Sequence, residues 1–193
     1  MLPFKEDIHP YKDKKMTKPE IEPGHPLPFL KNGIAQVAII VKDLDETVEN
    51  YWKMFGIGPW HFYTYAKPFV QQMSYHGSPA EYKMRLALSQ IGPMRIELIE
   101  VQEGDSIYAD FIKEHGYGVH HLGILVEDMN DALAQAHSAG LNMIQDGSGF
   151  GLYGDGHYAY LETEEPLGVT LELIQRPKAR VKPEKIYPSN IVS

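Results

Sequence analysis

The chain contains no cysteine. That excludes disulfides, a thiolate-held zinc cluster and a thiol nucleophile. Nor does it have an apolar run near the roughly 20 residues a membrane span requires. Residues 1–20, MLPFKEDIHPYKDKKMTKPE, lack the hydrophobic stretch of a secretory signal. Positive charge is also scarce. The 18 Lys and Arg stand against 26 Asp and Glu, a formal charge of -8. Nucleic acid and anionic membrane surfaces therefore lack the basic footprint they would need. The expectation is a cytoplasmic protein with a small-molecule partner. Its 193 residues, 43% of them hydrophobic, suffice for one compact domain or two very small ones.

Organisation follows from composition and period. Residues 1–32 carry Pro10, Pro19, Pro23, Pro26 and Pro28 and show no clean period, which predicts an extended arm. The tail, RPKARVKPEKIYPSNIVS from Arg176, has the same character, and residues 178–193 are assigned to it. Phe29, Leu30, Ile186 and Tyr187 are the arm residues able to dock on the body or on a second subunit. Between the arms, residues 33–177, the pattern changes. Ile34 to Val41 is a nearly continuous apolar run that predicts a strand covered on both faces. Asp43 with Glu46 three residues on predicts a helix start, Leu44, Val48, Trp52 and Phe55 follow at helical spacing, and Gly56 ends it. Strands are expected at 60–65, 82–88 and 94–101.

The second half repeats this order. Residues 119–126 predict a strand, Asp128 heads a helix that Gly140 ends, and strands are expected at 142–145, 157–162 and 169–175. VAIIVKDLDETVENY (37–51) aligns without a gap on LGILVEDMNDALAQA (122–136), and RIELIE (95–100) on TLELIQ (170–175). Two echoes in one order, each Glu matched, indicate an internal duplication. The fold class expected is α+β: tandem βαβββ modules, 33–102 and 118–177, joined by a helix near 105–114 and forming a cupped mixed sheet.

Alternation along a strand puts every second side chain on one face. Gln36 then shares a face with Ala38, and its repeat equivalent His121 with Gly123; the small neighbours leave space. Glu97 and Glu172 are also equivalent, each inside an aliphatic strand, where a carboxylate must be paired, protonated or metal-bound. Gln36, Glu97, His121 and Glu172 are the expected ligands of one divalent metal. Three oxygens and one nitrogen suit Zn, Co, Mn, Ni or Fe. Taken singly, each of these residues reads as a solvent-facing or packing side chain, and only the matched positions point to a site. His120 is expected on the opposite face, packed on a helix. His61, His76 and His157, with Trp60, Tyr63, Tyr65, Tyr75 and Tyr158, are candidates to line the cavity. GSGFGLYGDGHY (147–158) reads as a loop at its mouth.

These residues resemble the vicinal oxygen chelate superfamily of glyoxalases, methylmalonyl-CoA epimerases, extradiol dioxygenases and bleomycin-resistance proteins. The resemblance covers roughly residues 33–177, and the strand–KDLDE–helix opening and GVHHLGILVEDM look most like the epimerases. It implies a metal at the four matched positions, a homodimer, and proton transfer at carbon next to a carbonyl, with Glu172 as ligand and base and Glu97 the second candidate. Gln36 stands where epimerases usually carry His, and the Gln-Glu-His-Glu set resembles a eukaryotic glyoxalase I. Ile40 and Val101 replace the Arg and Asn of glutathione-using glyoxalases, which argues against glutathione. One His at the matched positions argues against dioxygenase iron. An isomerase or epimerase acting on a small carbonyl substrate is the first expectation. The alternatives are a lyase on a dicarbonyl, glyoxalase I-like or otherwise, and a non-catalytic small-molecule binding protein. The body offers Lys67, Lys83, Arg85, Arg95 and Lys113 outside the first helix, few for the phosphates of a CoA ester.

Overall fold

The computed structural model describes residues 26–189. The first half contains β1 (Gln36–Ile40), α1 (Leu44–Phe55), β2 (Trp60–Tyr65), β3 (Gln72–Tyr75), β4 (Ser78–Pro79), β5 (Lys83–Ile91) and β6 (Met94–Glu103). After α2 (Ile107–His115), the second half runs β7 (Gly118–Leu125), α3 (Met129–Ser138), β8 (Met143–Phe150), β9 (Gly156–Leu161), α4 (Glu164–Leu167) and β10 (Thr170–Gln175), and β11 (Lys185–Tyr187) follows. All eleven strands join one curled mixed sheet in the order β11-β2-β5-β6-β1-β7-β10-β9-β8-β3-β4.

The duplication is written into the register. β1 runs parallel to β6 with Ala38 opposite Glu97, and β7 parallel to β10 with Gly123 opposite Glu172. Where the halves meet, β1 and β7 are antiparallel and the pairing is reciprocal: Gln36 faces Gly123 and Ala38 faces His121. That exchange is what a twofold axis between β1 and β7 requires, and it brings the central residues of both halves together.

Helix starts follow the sequence. The Asp43 carboxylate accepts from the Glu46 backbone N–H at 2.8 Å, and Asp128 from that of Asp131 at 2.9 Å, each satisfying a donor the helix cannot. Leu44 and Val48 of α1 bury against Trp60, Phe62, Ala87 and Leu98 on the outer face of the first half. Met129, Ala132 and Ala136 of α3 bury against Ile124, Ala159, Leu161 and Leu173 on that of the second, with Phe29 beside them. The inner face carries a third, aromatic-rich cluster that includes Tyr65, Tyr82, Tyr108, Tyr158 and Tyr160.

Four features depart from the sequence reading. The β3–β4 hairpin, unforeseen, pairs across the halves with β8, Gln72 opposite Ser148 through Tyr75 opposite Gln145. The glycine-rich stretch 147–158 is mostly strand, since β8 runs to Phe150 and β9 begins at Gly156. Gly147 is there for close approach: a Cβ would lie 2.2 Å from the Tyr158 ring. The tail is no frayed arm through residue 189. It leaves β10, crosses the sheet and pairs as β11 with β2, where Glu184 accepts from the Thr64 N–H at 2.8 Å. Trp60 lies on the outer face under α1 and so does not wall the cavity. Of the proposed arm, Pro28–Asn32 forms a short 3-10 helix, and residues 1–25 lie outside the described range.

Candidate metal centre

Parallel pairing beside the pseudo-twofold sets the four expected residues around one point. Gln36 Nε2 donates to Glu97 Oε2 at 2.8 Å and to Glu172 Oε2 at 2.9 Å. His121 Nε2 lies 3.1 Å from Glu172 Oε2 and 3.4 Å from Glu97 Oε2. All four are buried, His121 completely, with Glu97 8% and Glu172 4% exposed. Gly123 makes the approach possible, because a Cβ there would sit 2.9 Å from Gln36 Cβ and 2.7 Å from Ile174 Cδ1.

Two carboxylates in so dry a place demand a compensating charge. Burial alone would push the His121 imidazolium down, yet Glu172 and Glu97 outweigh it and raise its pKa to about 9. His121 is therefore the positive charge between them when no other cation is bound. Its second nitrogen, Nδ1, lies 2.9 Å from Nδ1 of His120. The latter contact corrects the expected placement of His120. The β1–β7 register shifts between Ala38 and Ile39, and such a bulge breaks strand alternation and re-aims a side chain. His120 still packs on α2, its ring 5.3 Å from Tyr108 and 5.1 Å from Phe111. Burial and the neighbouring His121 depress its pKa to about 2, so neutral His120 accepts the Nδ1 proton of His121. That fixes the tautomer leaving Nε2 aimed at the carboxylates.

Glu172 is fully engaged: its Oε1 accepts from Tyr160 Oη at 2.8 Å, and Tyr160 accepts from Tyr108 Oη at 2.8 Å. Oε1 of Glu97 has no hydrogen bond among the described residues. Glu97, His121 and Glu172 each offer one atom within 4.8 Å of the others. Metal bonds of about 2.0–2.2 Å put adjacent donor atoms roughly 3–3.5 Å apart, so the His121–carboxylate separations fit a metal. Gln36 is the exception as placed. Its Oε1 accepts from Arg95 Nε at 2.6 Å, and its N–H groups face the carboxylates. The amide must turn over, against an arginine that can only donate, to offer a lone pair.

A family model described as the Glyoxalase/Bleomycin resistance protein/Dioxygenase superfamily matches residues 35–160. The chain belongs to this superfamily. Its structural neighbours include methylmalonyl-CoA epimerases. One is a variant of the Streptomyces coelicolor enzyme in complex with 2-nitronate-propionyl-CoA: 24% identity, 74% of this chain and 95% of that one covered, TM-score 0.57. Another is the Mycobacterium tuberculosis enzyme: 21% identity, 76% and 89% covered, TM-score 0.57. A hypothetical protein from Bacillus halodurans matches at 21% identity, 79% and 99% covered, TM-score 0.55. At these identities the likeness is one of fold. No curated protein matches the chain. No helix among the described residues is long and apolar enough to cross a membrane.

Around this superfamily member's centre the other candidates divide. A small void of about 30 Å³ touches Gln36, Glu97 and Glu172 and is walled by Tyr65 and Tyr158. A wider cavity of about 310 Å³ holds His61 and Tyr63. His157 pairs with Asp146 at 2.9 Å, away from both. His76 sits at the turn between β3 and β4 with φ 47°, and Tyr75 bonds Asp110. Sequence reasoning passed over Tyr160, Arg176 and Arg180. Arg176 was within reach, because alternation from Glu172 through Ile174 puts it on the cavity face. Burial lowers the Arg95 pKa, which Glu97 partly offsets and Arg180 and Arg176 lower further, so the three guanidinium groups are neighbours.

Proposed function

We propose that this protein is a metal-dependent isomerase or epimerase, moving a proton at carbon adjacent to a carbonyl. The observation that carries the reading is the convergence of Glu97, His121 and Glu172 on the pseudo-twofold axis, at ligand-like separations. These three would hold the ion, with Gln36 a fourth ligand once its amide turns. When bound, a divalent ion would supply positive charge to a substrate carbonyl oxygen. Glu97, its Oε1 uncommitted, takes the proton of the neighbouring C–H. Through the same oxygen Glu97 can hand a proton back, whereas Glu172, expected from the sequence as ligand and base, has both oxygens engaged by Tyr160, Gln36 and His121 and is assigned the role of ligand. The aromatic wall of Tyr65 and Tyr158 excludes water from the exchanging proton. The substrate is a small carbonyl compound, and a CoA ester is one form of it because relatives of this fold bind such esters. A homodimer in the cytoplasm belongs to the same proposal.

The experiment is deuterium exchange at the α-carbon of candidate 2-methyl-3-oxo acids and thioesters, followed by NMR. Exchange that is abolished by chelator and restored by one divalent metal is the expected result. Exchange that survives exhaustive chelation counts against the proposal. One observation favours a second reading, a binding protein without chemistry: Gln36, Arg95 and His121 already satisfy the carboxylate cluster with no ion. Ligand binding with neither metal nor exchange would establish that alternative.

A further inference from the structure

We propose that Arg95, Arg176 and Arg180 form an anion-binding site at the cavity mouth and that the substrate places a carboxylate or phosphate there. The inference rests on the function proposed above and names its substrate class. Both the wide cavity and the small void beside Glu97 and Glu172 are lined by Leu88 and by these three arginines, so the two spaces adjoin at these side chains. A molecule with its carbonyl at the carboxylate cluster projects its far end among the guanidinium groups.

The chain has four arginines and a formal charge of -8, and acidic partners abound. Arg85, on the outer face, takes two of them, Asp45 at 2.8 Å and Glu100 at 3.0 Å. Among the described residues the other three arginines have no ion pair. Arg95 is only 9% exposed, and among the described residues its guanidinium bonds the neutral Gln36 amide and no carboxylate. Burying an unpaired guanidinium is costly. The nearby Glu97 and Glu172 do not settle the account: the one charge of His121 offsets one of the two carboxylates, a divalent ion would offset both, and in either state the three arginines carry more positive charge than the cluster leaves unbalanced. Three positive groups thus converge where an anion would complete the balance, and guanidinium forks match carboxylate and phosphate geometry.

The backbone is built to hold them there. Arg176 and Arg180 ride on the strap between β10 and β11. The Lys178 N–H donates to Asp155 Oδ2 at 3.2 Å, the Leu152 N–H to the Ala179 carbonyl at 2.9 Å, and the Gln175 side chain to the Asp155 carbonyl at 3.1 Å. These bonds tie the arginine segment to the turn between β8 and β9. Downstream, β11 pairs with β2, the strand that supplies His61 and Tyr63 to the same cavity. A volume near 310 Å³ lies at the small end of ligand sites, which favours a compact acid.

Calorimetric titration tests the site. Malonate, its neutral diamide and adenosine 3′,5′-bisphosphate are the probes, each run on the protein as purified and after chelation. Malonate should bind in both states, and the diamide should not. The double variant R176Q/R180Q should weaken malonate about tenfold or more with an unchanged urea midpoint, and R176K/R180K should recover most of it. Preference for the bisphosphate would identify a carrier phosphate as the anion, and preference for malonate a substrate carboxylate. Equal binding of malonate and diamide, or undiminished binding by R176Q/R180Q, overturns the proposal. Arginine-dependent malonate binding by a protein that takes up no metal would remove the catalytic reading and leave the anion site standing. Metal uptake with charge-blind binding would do the reverse.

Discussion

Glu97→Gln should lower α-carbon deuterium exchange by about a thousandfold, within the range a general base contributes, while the protein still takes up metal. Glutamine keeps the size of the side chain and one carbonyl oxygen, so a ligand atom survives at Oε2 while the basic oxygen is lost. Glu172→Gln should behave differently. Its two oxygens are committed to Tyr160, Gln36 and His121, and an amide nitrogen in either place would confront a donor. Metal uptake should therefore weaken along with exchange. Equilibrium dialysis beside the NMR assay separates the two. If Glu97→Gln exchanges at the wild-type rate and Glu172→Gln fails with metal bound, the roles are reversed.

His121→Ala should cost the metal-stripped protein about 3–5 kcal/mol at neutral pH, the usual penalty for deleting one side of a buried charge cluster. It removes the cationic group that lies between Glu97 and Glu172 and leaves them the neutral donors Gln36 and Tyr160. The pH profile carries the signature. The pKa of His121 is raised from the ordinary 6.5 to about 9. Its stabilisation is thus fully present below pH 6.5 and is lost as pH rises through about 9. His120 acts in the opposite direction. Its pKa, held down to about 2, means the unfolded chain takes up a proton that the folded one refuses, so stability falls as pH drops below about 6.5. Urea midpoints of stripped wild type should decline on both sides of neutrality. In His121→Ala the alkaline decline contributed by that residue should vanish. An unchanged midpoint at pH 7 would show that the imidazolium does not hold the carboxylates.

Much of this was legible because it depends on local pattern. The Asp43 and Asp128 caps, the alternation on β1 and β7 and the paired echoes are written in adjacent residues, and they sufficed to place Gln36, Glu97, His121 and Glu172 on one axis. The features that escaped depend on partners distant in the chain. β3 and β11 are four and three residues long, too short for a period, and exist because β8 and β2 offer them an edge. The bulge that turns His120 inward belongs to the pairing of two strands, which neither reveals alone. The glycines of 147–158 mark close packing against Tyr158 and Gln71, and composition does not distinguish such glycines from those of a loop. The amide of Gln36 is oriented by Arg95, a neighbour across the β1–β6 ladder. In the sequence Arg176 and Arg180 belong to a proline-rich tail, and only the fold shows that tail returning over the cavity.

Metal content tests the central claim most directly. The protein should be purified without chelator and dialysed against trace Zn, Mn, Co, Ni and Fe, then measured by inductively coupled plasma mass spectrometry. The expected result is close to one equivalent of divalent metal per chain, lost in the double variant His121→Ala/Glu172→Leu. Less than a tenth of an equivalent for every metal offered, in a protein shown to be folded, would contradict it.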